Sequence, residues 1–83
     1  MKPEDNIKEV VNVLEELEQD HSVPKNIKTK IKDIIATLKE DKDISIKVNM
    51  ALNELDDITD DANVQSYTRT QLYGVVSLLE KIS

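Results

Sequence analysis

The segment "LNELDDITDDAN" at residues 52–63 gathers Glu54, Asp56, Asp57, Asp60 and Asp61 around Ile58. Carboxylates at that density are the raw material of a hard-cation site, because Ca2+ and Mg2+ take oxygen ligands. The spacing does not fit a calcium loop. With Asp57, Thr59 and Asp61 at the first three ligand positions, Ala62 stands where the turn glycine is needed and Thr68 where the closing glutamate is needed. A looser site is geometrically open on a helix, where Asp57 lies one turn from Asp60 and Asp61. A helix junction explains the same residues more simply, since Asp60 and Asp61 precede a further helix and negative charge is favoured at a helix N-terminus. Glu15, Glu16, Glu18 and Asp20 repeat the pattern earlier in the chain. The expectation is a junction with no metal and no cofactor. A metal-dependent enzyme at this cluster is the third-ranked reading.

Other reactive groups are sparse. His21 is the single histidine and sits beside Asp20, so it could sense pH, but no second histidine or cysteine completes a zinc site or a nucleophile–base pair. The absence of cysteine removes thiol chemistry and disulfides, and one glycine cannot build a phosphate-cradling loop. Carboxylates are plentiful, yet acid–base catalysis needs a cleft that drives two of their pKa values apart. The chain is expected not to be an enzyme.

The elements that position these residues are helices. Ile7, Val10, Val11, Leu14 and Leu17 form one stripe at helical spacing, and Ile27, Ile31, Ile34, Ile35 and Leu38 a second. Ile44, Val48, Ala51, Leu52, Leu55 and Ile58 form a third, and Val64, Leu72, Val75, Val76 and Leu79 a fourth. Phe and Trp are absent, so the core is aliphatic. Pro3 suits a first helical turn. Ser22 reads as the cap of the second helix, Asp43 of the third, and Asp61 or Asn63 of the fourth. Short connections between four helices predict an all-α bundle of antiparallel neighbours, in one domain over residues 1–83.

Sliding the chain along itself by 41 residues brings Asn12, Leu14, Asp20, Val23, Thr29 and Leu38 onto Asn53, Leu55, Asp61, Val64, Thr70 and Leu79. Both helices and the turn align without a gap, which predicts two copies of one helical hairpin, over about residues 3–40 and 43–82. The period, and the placing of Asp20 before Lys28 and Asp61 before Arg69, are similar to HEAT-like repeats. Two copies are too few for an open array, which needs about three, so the pair is expected to close into a bundle.

Charge divides with the helices. Residues 1–23 carry net −5 and residues 24–40 net +3, while residues 41–63 carry −5 and residues 64–83 +1, for a total of −6. Complementarity between adjacent helices accounts for this. The lysine-rich second helix also raises an anion- or RNA-contacting surface made of Lys25, Lys28, Lys32 and Arg69. A pI near 4.6 argues against nucleic acid and against anionic membranes. No apolar run reaches the ~20 residues of a spanning helix, and "MKPEDNIKEV" lacks a signal-peptide core, so a cytoplasmic location is expected.

The copies differ in their polar positions. Ile46 and Met50 in the second hairpin stand where the first has Asp5 and Glu9, and Tyr73 and Leu78 stand where it has Lys32 and Thr37. Exchange of outer polar residues for apolar ones marks Ile46, Met50, Tyr73 and Leu78 as a candidate interface. Gly74 adjoins them, at a helical position where glycine is costly.

The runs "DHSVPKNIK" at 20–28 and "DDITDDANVQSYTRTQL" at 56–72 resemble the small archaeal helical proteins grouped as uncharacterised protein family 0147. The second copy departs from the first at Gln65, which stands where the first has Pro24. The resemblance implies an all-α bundle in an archaeal cytoplasm and carries no activity with it. Abundant Glu, Asp and Lys suit a thermophile's ion-pair networks. The leading expectation is a non-catalytic interaction or scaffold module that self-associates, as in a homodimer, or binds a protein partner. An anion- or RNA-contacting accessory protein is second.

Overall fold

The structure is a computed structural model that describes residues 3–82. Four helices follow in order: α1 (Pro3–Gln19), α2 (Lys25–Lys39), α3 (Ile44–Thr59) and α4 (Ser66–Glu80). No strand occurs among the described residues. α1 packs on α2, α2 on α3, α3 on α4 and α4 back on α1, so the helices close a circuit. The intervening segments 20–24, 40–43 and 60–65 are too short for anything but reversal of direction. Helices of this length are about 23–26 Å long, and the molecule measures 32 × 20 × 19 Å, which sets all four along its long axis. The expected all-α four-helix bundle is what the chain forms.

Each helix buries the stripe that its spacing marks. Val10, Leu14, Ile27, Ile31, Ile34, Val48, Ala51, Leu55, Ile58 and Leu72 are fully excluded from solvent. Ile44, Leu52 and Val76 lie at the margin, half-buried against the same core. β-branched residues fill much of this interior, although their helix propensity is modest, because burial outweighs propensity once a neighbour covers the face.

Positions 41 residues apart carry matching local structure. Asp20 N–H donates to the Leu17 carbonyl at 3.2 Å and Asp61 N–H to the Ile58 carbonyl at 3.0 Å. Val23 N–H donates to Asp20 O, and Val64 N–H to Asp61 O, both at 3.2 Å. The Thr29 and Thr70 hydroxyls donate to Lys25 O and Ser66 O, one turn back in each helix.

The caps depart in part from expectation. Asp43 caps α3, accepting from Ser45 N–H at 2.9 Å and the Ser45 hydroxyl at 2.7 Å. α2 and α4 instead begin after Pro24 and Gln65 without a side-chain cap. Ser22 donates to Asp20 Oδ1 through its N–H (2.8 Å) and hydroxyl (2.7 Å), and Asn63 N–H donates to Asp61 Oδ1 at 2.8 Å. These aspartates spend their carboxylates closing the turn, so Ser22, Asp61 and Asn63 are turn residues and not caps.

Gly74 lies within α4, and a Cβ built there meets nothing within 4 Å. Gly74→Ala should therefore raise the stability of the isolated chain by about 1 kcal/mol. A higher midpoint of thermal unfolding, followed by circular dichroism at low protein concentration, is the expected result.

Candidate functional site

The lysines of α2 converge with the α1–α2 turn. Lys25, Lys28, Lys32 and Thr29 from α2 line an open groove of about 650 Å3 with Glu18, His21, Val23 and Pro24. The helical spacing of 25, 28, 29 and 32 places all four on one face. Lys32 Nζ stands 3.7 Å from Glu18 and, two turns further along α2, Lys39 Nζ stands 3.8 Å from Glu15. These exposed pairs cross the seam between the acidic first helix and the basic second and contribute little each. Asp20, in the α1–α2 turn, has its pKa lowered by the backbone and side-chain hydrogen bonds from Ser22, with Lys28 and His21 adding a smaller electrostatic pull.

Arg69, grouped with these lysines by its charge, is used elsewhere. Its Nε donates to the Thr59 carbonyl at 3.1 Å and its Nη2 to the Asp61 carbonyl at 3.0 Å. It satisfies the Thr59 carbonyl where α3 ends, adds a second bond to the Asp61 carbonyl that already accepts from Val64 N–H, and holds the α3–α4 turn against α4. Lys28, at the equivalent position of the first hairpin, faces the groove. A single ammonium cannot reach two diverging carbonyls as a guanidinium fork does.

The candidate interface residues also separate. Ile46 is 53% exposed, Met50 38% and Tyr73 56%. Leu78 is half-buried and packed against the core. Its counterpart Thr37 is itself buried, with its hydroxyl donating to Asp33 O at 3.0 Å, so this position faces a helix–helix seam in both hairpins. Residues 73 and 78 are also about 140° apart around a helix. Tyr67, with Tyr73 one of the two aromatic residues the sequence offers for stacking on a single-stranded RNA, is 64% exposed and borders a groove with Val13, Leu17 and Gln71 where α4 meets α1. Its place early in α4 was visible, but which neighbour flanked that side was not.

In the aspartate-rich segment, Asp56, Asp57 and Asp60 are exposed. Among the described residues no group of three His, Cys, Asp or Glu side chains is placed to hold a metal ion. Asp56 instead offers its backbone carbonyl to the Thr59 hydroxyl at 3.1 Å and to Asp60 N–H at 3.2 Å, as the end of a helix does. Glu54, beside α2, lies in a narrow cleft with Lys30, Asp33 and Asp57. Partial burial, then the negative charge of Asp33, pushes its carboxyl above the usual range. Asp57 and Glu40 act the same way, and the Thr37 hydroxyl, 3.5 Å from Oε1, opposes them.

The chain matches the uncharacterised protein family (UPF0147) over residues 1–82. It belongs to that family. The UPF0147 protein of Thermoplasma acidophilum is 38% identical over 76 residues, covering 90% of this chain and 86% of the relative. That of Methanocaldococcus jannaschii is 37% identical over 83 residues, covering 96% and 87%. A solved structure of a UPF0147 protein from Thermoplasma acidophilum superposes with a TM-score of 0.91 at 34% identity, covering 96% of this chain and 95% of that one. A second, the protein of unknown function MMP1188, gives 0.92 at 36% identity, covering 99% and 94%. The relatives from Thermoplasma acidophilum and Methanocaldococcus jannaschii are archaeal, and the fold agrees over nearly the whole chain. No helix among the described residues is long and apolar enough to cross a membrane.

A test follows from Glu54. A raised folded-state pKa means that the folded chain holds this proton more tightly than the unfolded chain does. Stability is therefore gained as pH falls through the folded-state value and is fully present below the unfolded one. Glu54→Gln removes the charge at every pH. It should raise the melting temperature at pH 7 and lose that advantage at about pH 3, where glutamate is already protonated. Melting curves of both proteins across this range measure the difference.

Proposed function

We propose that this UPF0147 chain is a non-catalytic protein-interaction module of the cytoplasm that uses the outer face of α3 and α4 as its contact surface. One observation carries the reading. Every exposed large hydrophobic residue among those described, Ile46, Met50, Tyr67 and Tyr73, belongs to the second hairpin. Scattered exposed apolar residues are ordinary. Confinement to one hairpin, with methionine and tyrosine represented, is the composition of a contact surface. The buried core takes five residues each from α1 and α2, four from α3 and three from α4, and none of the four exposed residues is among them.

The chain should travel in cells as part of an assembly larger than its own 9.4 kDa. Gentle lysis of an archaeal host carrying a tagged copy, followed by sizing, tests this. Met50→Asp and Ile46→Asp should return the protein to its monomer size. A wild-type chain that already elutes as a lone monomer from fresh lysate sinks the reading.

A second reading rests on the groove of Lys25, Lys28 and Lys32. α2 opens there with no acidic residue in its first turn and no side-chain cap, so its free N–H groups and the lysines favour an anion. The ligand would be phosphate-bearing, RNA included. Binding of a short single-stranded RNA at low salt should weaken steeply as salt is raised. Lys28→Glu should abolish it. Equal binding by wild type and variant would remove the groove from consideration.

A further inference from the structure

Two seams of the bundle can be compared position by position, because residues 41 apart carry matching turns. Between α2 and α3, Lys30 shares a cleft with Glu54 and Asp57. The positions 41 residues away from these three are Gln71, Val13 and Glu16, and all three line the groove between α4 and α1. The second seam therefore keeps a carboxylate, in Glu16, and has no lysine opposite it.

Nothing nearby replaces that lysine. On α1, Glu15 and Glu18 face α2, where Lys39 and Lys32 pair with them. Glu16 is exposed and makes no hydrogen bond or ion pair among the described residues. The one basic residue of α4 is Arg69, which is bonded to the Thr59 and Asp61 carbonyls. Asp20 also lines the groove, but its Oδ1 is closed onto Ser22, and Lys28 and His21 act on its charge. Glu16 is the carboxylate left for a ligand.

The remaining lining narrows which cation fits. Tyr67, 64% exposed, stands on the α4 side, and Val13 and Leu17 supply apolar surface on the α1 side. A carboxylate, an aromatic ring and an apolar strip together suit arginine, whose guanidinium forks onto the first, stacks on the second and lays its stem along the third. The groove is about 330 Å3, about half the volume of the lysine groove on α2 and at the small end for a ligand pocket. That is room for a side chain. A net charge of −5 over residues 1–23 draws a basic protein to this side and turns phosphates away. A second copy of the chain cannot fill the groove this way, because its single arginine is Arg69.

We propose that the α4–α1 groove captures an arginine side chain of a different, basic protein, with Glu16 accepting from the guanidinium and Tyr67 covering its face. The groove lies on the opposite flank of α4 from α3, so this contact is separate from the α3–α4 face and shares only Tyr67 with it.

Nuclear magnetic resonance of the isotope-labelled full chain, titrated at low salt with the capped peptide Gly-Gly-Arg-Gly-Gly, tests it. The amide signals of Glu16, Tyr67 and Gln71 should shift together and saturate. The same peptide with lysine for arginine, and spermidine, should bind more weakly. Glu16→Gln and Tyr67→Ala should each weaken binding about fivefold or more. Gln71→Lys places in this groove the lysine of the α2–α3 cleft. It should abolish binding while melting no lower than wild type, so that lost binding cannot be lost fold. Met50→Asp should leave binding unchanged. Shifts that miss the groove, or equal binding by wild type, Glu16→Gln and Gln71→Lys, overturn the proposal. Spermidine binding as tightly as the arginine peptide overturns the choice of a protein side chain. Loss of binding in Met50→Asp would move the contact to the α3–α4 face and overturn the groove.

Discussion

Four aliphatic stripes depend on one another for burial. A helix of about 15 residues is marginal alone in water, and a two-helix hairpin leaves half of each stripe wet. Only when α4 returns onto α1 does the circuit close and exclude solvent from Leu14, Ile31, Leu55 and Leu72 together. The core holds no Phe or Trp, so no single large side chain anchors it. Its stability is spread over many small aliphatic contacts, each weak alone and additive across the packed interior.

That closure sets the task of the turns. Each hairpin turn reverses the chain within a few residues while an aspartate, Asp20 or Asp61, folds its carboxylate onto the backbone two residues on. The two turns share this frame and diverge in the basic residue that follows. In the second, Arg69 spans the turn and ties the end of α3 to α4. In the first, Lys28 lies along an open groove among further lysines. The same position therefore fastens one turn and leaves a cationic surface beside the other.

The surfaces sort in the same way. The first hairpin carries charge of both signs on its exposed sides, with ion pairs across the α1–α2 seam. In the second, Lys47 and Arg69 reach backbone carbonyls, Asp56, Asp57 and Asp60 stay exposed, and Ile46, Met50 and Tyr73 face outward. A shared core with two unlike surfaces suits a small molecule that has one face for solvent and one for contact. The family relation extends the fold to archaeal relatives, while any role lies in the surface residues, because a core of this kind has no chemistry of its own.

Helix count, helix phase and nearly every core residue were legible in the chain alone, because a 3.6-residue period needs no knowledge of the neighbours. The Asp43 cap was legible for the same reason: it is satisfied within three residues. What depended on partners in space was not. Leu78 and Thr37 share a position that looks peripheral on a wheel, yet an adjacent helix covers it. Arg69 resembles a free cation until the end of α3 is brought beneath it. Glu54 is one acid among many until α2 sets Asp33 and Thr37 against it. Local periodicity determined the elements, and tertiary packing decided which side chains remained exposed, because exposure belongs to an arrangement of helices and not to a residue.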